Sequence, residues 1–276
     1  MSVPATAASS EEPRMPASGL QQPASGPRTP GDGGTAGHGS SESWESHATF
    51  DLFDLGRRAD AARDARFGRR ASFVRARQLL STGAWRGPRD ASESYVEAAD
   101  VGALGGFGAA AIAGASLLVG GGPLEAHHLA RAGGARSLWR LPFRSGESFE
   151  ARAVRLEELK RVPRGDLALW GVMPTPEGEA EGLDTLRLVA TLRLELPELP
   201  HVVLDVAALG PRLAQMALGF GGDELWAPIV SERALRLGGN ANNPSMTRKE
   251  AAILIRGAGL MPCERTAAET YREEQE

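Results

Sequence analysis

Residues 183–227, LDTLRLVATLRLELPELPHVVLDVAALGPRLAQMALGFGGDELWA, decide the architecture. Leu183 to Leu196 reads as a helix, the apolar run His201 to Val206 as a strand, and Gly210 to Phe220 as a second helix ending at a glycine pair. A Leu/Val-rich strand without polar alternation, placed between helices, belongs in a parallel sheet covered on its outside. The pattern repeats upstream. Ala115 to Val119, Ser137 to Leu141 and Leu167 to Met173 read as strands, with helices predicted over Leu124 to Ala132 and Phe149 to Lys160. Downstream, a last helix over Thr247 to Ala258 opens with a Thr247…Glu250 capping box and stops at Gly259. Four or five such units make an α/β fold of the (β/α) kind, a partial or shortened barrel, since a complete eightfold barrel takes about 250 residues.

Toward the N-terminus, Asp54 to Arg66 reads as a helix closed by Gly68, and Ser72 to Gln78 as extended chain. Arginines crowd this region, but Asp51, Asp54, Asp60 and Asp64 alternate with them, which describes a solvated, salt-bridged face. The formal net charge of −4 also argues against nucleic acid as a partner. Residues 1–48 hold 6 Pro, 7 Gly and 9 Ser and almost no branched aliphatics. Such a segment buries too little surface to offset its ordering entropy, so a disordered tail is expected, followed by one domain over residues 50–272. Val101 to Leu124 is uncharged over 24 residues, but eight of them are Gly, and it reads as a buried helix and strand and not as a membrane span. With no secretory signal pattern, the expected compartment is the cytoplasm.

Chemistry-bearing residues are few. Gly120, Gly121 and Gly122 lie between a strand and a helix, where backbone amides can hold an anion; they read as well as a tight turn. His127 and His128 are adjacent, cannot chelate one metal from one helix face, and read as structural. His201 opens a strand after Leu199-Pro200 and either faces an open end of the sheet or ends a turn. Gly221, Asp223 and Glu224 form a loop able to hold polar substrate groups, or a helix cap followed by surface acids. The single cysteine, Cys263, cannot by itself build a disulfide, a thiolate zinc site or an iron–sulfur cluster.

Several segments carry a resemblance. Residues 186–194 (LRLVATLRL), 199–202 (LPHV), 209–218 (LGPRLAQMAL), 220–225 (FGGDEL) and 247–265 (TRKEAAILIRGAGLMPCER), with weaker matches at 53–56, 73–77 and 146–159, resemble the radical S-adenosylmethionine (SAM) enzymes of the futalosine route to menaquinone. That family comprises aminofutalosine synthase, dehypoxanthine futalosine cyclase and the related deazaflavin synthase subunit. The resemblance implies a TIM-type barrel of the radical SAM kind, shortened here by two or three strand–helix units, and in the family a [4Fe–4S] cluster and SAM. The three cluster-cysteine positions fall at Trp85, Arg89 and Ser92, none of which donates a thiolate. No cofactor is therefore expected, and the resemblance points to a catalytically degenerate relative. Its expected partners are a small-molecule ligand and either an authentic radical SAM paralogue or a second copy capping an exposed sheet edge, with neither nucleic acid nor membrane. By resemblance the substrate-side candidates are Gly120 to Gly122, Gly221, Asp223, Glu224 and Glu232. The alternative is a barrel enzyme using His201, Asp223 and Glu224 for cluster-independent acid–base chemistry.

Overall fold

A computed structural model describes residue 47 and residues 49–121, 124–162, 169–178, 182–230, 245–266 and 271–273. The expected tail falls outside them except for His47, as do Gly122 and Glu232.

The first helix, α1 (Leu52–Phe67), starts where the Asp51 carboxylate accepts from the Phe53 and Asp54 amides, and ends at Gly68 with φ 63°. Its apolar stripe, Leu55 and Ala59, packs on Ala190 of α6 (Gly182–Glu195). The Arg187 guanidinium donates to the His47 and Phe50 carbonyls and ties down the chain's entry into α1.

Strand β1 (Arg70–Leu79) is long enough to be shared. It pairs with β8 (Glu224–Ala227), with β3 (Glu93–Glu97) and, at its end, antiparallel with the two-residue β2 (Trp85–Arg86). From β3 the parallel sheet continues through β4 (Leu117–Gly120), β5 (Arg136–Phe143), β6 (Leu169–Pro176) and β7 (His201–Asp205) to β8, which returns to β1. The result is a closed ring of seven strands. The intervening helices are α2 (Ala98–Val101), α3 (Phe107–Ile112), α4 (Leu124–Ala132), α5 (Phe149–Arg161), α6, then α7 (Val206–Leu209) and α8 (Pro211–Leu218). After β8 come α9 (Arg248–Gly257), with the expected capping box from Thr247 to Glu250, β9 (Met261–Arg265) alongside the first half of β1, and β10 (Tyr271–Glu273).

The ring thus counts seven strands where the sequence suggested four or five units. β3 and β8 went unread because each carries charged residues on its inner face, which breaks the apolar run expected of a buried strand. Closure pairs both edges of every ring strand, while β10 ends the sheet beyond β9. The Val101–Leu124 segment resolves into α2, α3 and β4, and among the described residues no helix is long and apolar enough to cross a membrane.

Candidate functional site

Side chains alternate across a strand, so every second residue of the ring faces the barrel interior. Three interior layers follow from this period. Ser72, Glu93, Arg136, Trp170, His201 and Glu224 stand at the strand beginnings. Val74, Leu117, Leu138, Val203 and Trp226 form an apolar waist. Gln78, Glu97, Arg140 and Asp205 lie toward the strand ends.

A cavity of about 150 Å³ opens in that last layer, lined by Gln78, Arg86, Tyr95, Glu97, Arg140, Asp205, Trp226 and Pro228. Arg140 clamps Glu97 bidentately, Nη1 to Oε2 at 2.9 Å and Nη2 to Oε1 at 3.1 Å, while its buried Nε meets no partner. The Asp205 carboxylate caps α7, accepting from the Ala207 amide at 2.9 Å and the Ala208 amide at 3.4 Å. The Tyr95 ring meets Trp226 edge-on, with centroids 4.6 Å apart. Burial pushes both carboxyls up, Glu97 against the opposing pull of Arg140 and Asp205 against its two amides. Burial, with Glu97 and Asp205 nearby, also raises the Tyr95 phenol. The C-terminal ends of barrel strands are where such folds place their chemistry, and here they present an acid pair, a guanidinium and two aromatic walls. Nothing in the sequence reading singled out Glu97, Arg140 or Asp205. The available signal was the spacing of polar residues four apart in Glu93-x-Tyr95-x-Glu97, Arg136-x-Leu138-x-Arg140 and His201-x-Val203-x-Asp205.

The acids and histidine that the sequence did single out gather at the opposite end. His201 Nδ1 bonds Asp223 Oδ2, while Asp223 Oδ1 accepts from Arg193 and, at 2.8 Å, from the Val202 amide. Gly221 permits this junction: its φ is 97°, and a Cβ there would lie 2.9 Å from the Arg193 Cβ. The His201 ring stacks on Trp170 at 4.1 Å and on Phe67 at 5.2 Å. Glu224 turns instead to Arg265 of β9, whose guanidinium donates to Glu224 at 2.6 and 2.8 Å and to Glu93 at 3.0 and 3.3 Å. Arg136 reaches Glu93 at 2.6 Å and Ser72 donates to Glu224 at 2.9 Å. Burial would raise Glu224, but Arg265 brings it down to about 2; the two glutamates in turn hold the Arg265 guanidinium firmly charged against its own burial. The structure therefore joins His201 with Asp223 and separates both from the cavity at the strand ends.

Gly120 and Gly121 sit where the backbone has no room for a side chain. A Cβ on Gly120 would stand 2.5 Å from the Ala98 Cβ, and one on Gly121 would stand 2.4 Å from the Arg140 carbonyl oxygen. Trp85, Arg89 and Ser92 lie in the segment between β1 and β3: Trp85 pairs with Leu79 at the end of β1, while Ser92 immediately precedes Glu93 at the beginning of β3. Trp85 receives the Arg77 guanidinium over its ring at 4.1 Å, and the Ser92 amide bonds the Arg75 carbonyl. A [4Fe–4S] cluster needs three thiolates there, but the chain's one thiol, Cys263, is buried in β9 beside Ser72. The residues present do not fit the cluster.

No family model matches the chain. Over 141 residues it is 30% identical to the aminodeoxyfutalosine synthase of Thermus thermophilus, a match taking in 46% of this chain and 37% of that enzyme. Over 133 residues it is 25% identical to the cyclic dehypoxanthine futalosine synthase of Halalkalibacterium halodurans, 45% of this chain and 35% of that one. The chain thus spans well under half the length of these curated relatives. In fold it is similar to the [FeFe]-hydrogenase maturase of Carboxydothermus hydrogenoformans, with a TM-score of 0.55 at 11% identity over 82% of this chain and 76% of the maturase. The chain is a partial sequence relative of the radical SAM enzymes of the futalosine pathway, built on a closed seven-strand barrel of the radical SAM, TIM-like type.

Proposed function

We propose that this chain is a cytoplasmic binding protein on a radical SAM barrel. It takes a small molecule of the futalosine branch at the C-terminal mouth and performs no cluster chemistry of its own. The observation that carries this reading is an asymmetry of retention: the barrel closes and keeps a lined, charged mouth, while the segment after β1 offers Trp85, Arg89 and Ser92 in place of thiolates. In this reading Arg140 supplies the anchoring charge, Glu97 fixes its orientation, and Tyr95 and Trp226 provide the apolar walls. Turnover of such a ligand belongs to a partner, an authentic radical SAM paralogue.

The test has two arms. Anaerobic reconstitution with iron and sulfide should leave the protein without stoichiometric iron or charge-transfer absorption, whereas a full cluster would overturn the reading. Calorimetric titration with aminodeoxyfutalosine should show binding that Arg140→Ala weakens about tenfold or more, the loss expected when a charged hydrogen bond is removed. Absence of binding in the wild-type chain would equally overturn it.

A second reading, cluster-independent acid–base chemistry, is favoured by one observation: burial raises two carboxyls, Glu97 and Asp205, in the same cavity. It moves the acid–base role from His201, Asp223 and Glu224 to the mouth. Product formation lost in Asp205→Asn would favour it over simple binding.

A further inference from the structure

The N-terminal end of the barrel has its own cavity, of about 390 Å³, lined among others by Arg66, Phe67, Arg70, Ser72, His201 and Asp223. We propose that it is a second ligand site, selective for a phosphate group and independent of the mouth. His201 is 5% exposed and its ring is fixed, stacked on Phe67 and Trp170. Asp223 Oδ2 accepts a hydrogen bond from Nδ1–H, the tautomer in which Nε2 carries a free lone pair. No protein group meets Nε2 among the described residues, yet it is not sealed away as both ring nitrogens of His127 are, so it opens on the cavity that His201 lines.

The charge around this acceptor is positive. The one carboxylate in the lining, Asp223, is already engaged by Arg193, His201 and the Val202 amide. Arg66 donates through Nη1 to the Pro197 and Leu199 carbonyls, which orients it without neutralising it. Arg70 is exposed and makes no ion pair among the described residues. A site that offers guanidinium charge beside a lone acceptor nitrogen asks for an anion that also carries a proton. Hydrogen phosphate, and a phosphate monoester below its second pKa of about 6, present both a P–OH and charged oxygens, whereas sulfate presents oxygens alone. The volume leaves room beyond the phosphate for an organic group against Phe67.

The experiment is calorimetric titration of the full chain with inorganic phosphate, phenyl phosphate and sulfate at constant ionic strength. Phosphate is expected to bind at least about tenfold more tightly than sulfate, one hydrogen bond's worth. Arg70→Ala should weaken phosphate by a similar factor with an unchanged melting temperature, because this exposed side chain supports no contact. His201→Phe, which keeps the stacking, should erase the preference for phosphate over sulfate. Tighter binding of the ester would identify an organic phosphate as the ligand, and equal binding free phosphate; either sustains the site. No phosphate binding, equal affinity for sulfate, or phosphate affinity untouched by Arg70→Ala would overturn it. The sulfate comparison and Arg70→Ala decide the matter even if His201→Phe does not fold.

Discussion

The two ends of the barrel use the same residue types and reach opposite electrostatic outcomes. At the strand beginnings, Glu224 and Glu93 share Arg265, with Arg136 and Ser72 in support, and Glu224 falls to about 2 in spite of full burial. At the strand ends, Glu97 and Asp205 have one guanidinium between them, and burial raises both. The difference lies in what the partners are: Glu224 accepts two N–H groups of Arg265 and the Ser72 hydroxyl, whereas Asp205 has only two neutral amides and Glu97 the single Arg140. A buried carboxylate with enough charged donors is stabilised as an anion, while one without them is pushed toward its protonated form. The Arg265 network reads as the clamp that closes the ring, and the mouth as the end where buried carboxyls are left with unmet demand.

The largest expected effect comes from breaking the Arg265 network. Arg265→Met leaves Glu93 with Arg136 alone and Glu224 with Ser72 and a distant indole, both carboxylates still buried. Removing one partner from such a group destabilises by roughly 3–5 kcal/mol, and in a chain of this size each kcal/mol shifts the melting temperature by about 2–4 °C. Thermal unfolding should therefore drop by ten degrees or so, and a further Glu224→Gln should recover part of it. A variant within a degree or two of wild type would show that the network is not the clamp described.

The fold was readable where strands are apolar throughout. β4, β6 and β7 and the helices flanking them stand close to their expected positions, because the outward faces of these strands pack on helices and the inward faces at mid-barrel pack on one another. β3 and β8 were not readable, since Glu93, Glu97 and Glu224 look like surface acids until the ring brings Arg136, Arg140 and Arg265 to them from strands far along the chain. The same non-locality hid the mouth. Arg140 sits 43 residues beyond Glu97 and pairs with it only because β4 separates β3 from β5 in the closed sheet. His201 and Asp223 were noticed as residue types, but their shared hydrogen bond depends on the Gly221 turn and on Arg193 from α6, which spacing alone does not disclose.

A buried polar group with no partner at all extends the comparison past the mouth. His127 of α4 is fully buried on Trp139, ring centroids 4.8 Å apart, and neither ring nitrogen finds a hydrogen bond. Burial, with His128 beside it, lowers it to about 4. The folded state therefore holds this imidazole neutral; stability is intact above its ordinary value of 6.5 and is lost as pH falls from there toward 4. His127→Phe preserves the stacking and removes two unpaired nitrogens, and should add about 1 kcal/mol at neutral pH. The gap between variant and wild type should widen in thermal scans taken at pH 5. A variant that melts lower at both pH values would show that the ring nitrogens are not idle.

The smallest effect tests the mouth itself. Asp205→Asn keeps an oxygen to accept from the Ala207 and Ala208 amides but removes the charge. Because the folded value lies above the ordinary 3.8, the native state binds the proton more tightly than the unfolded chain does. Stability from this group is therefore present below 3.8 and is lost as pH climbs through the raised folded value, the reverse of the direction at Glu224. At pH 7 the variant should be more stable than wild type by roughly 0.5 kcal/mol, a modest figure because the carboxylate is part-solvated, and the two should converge near pH 3.5. Convergence at neutral pH instead, with divergence in acid, would place Asp205 among the stabilised anions and remove the contrast between the two ends. If the variant is more stable and also binds the mouth ligand less well, then the charge at that site opposes folding and is kept for binding.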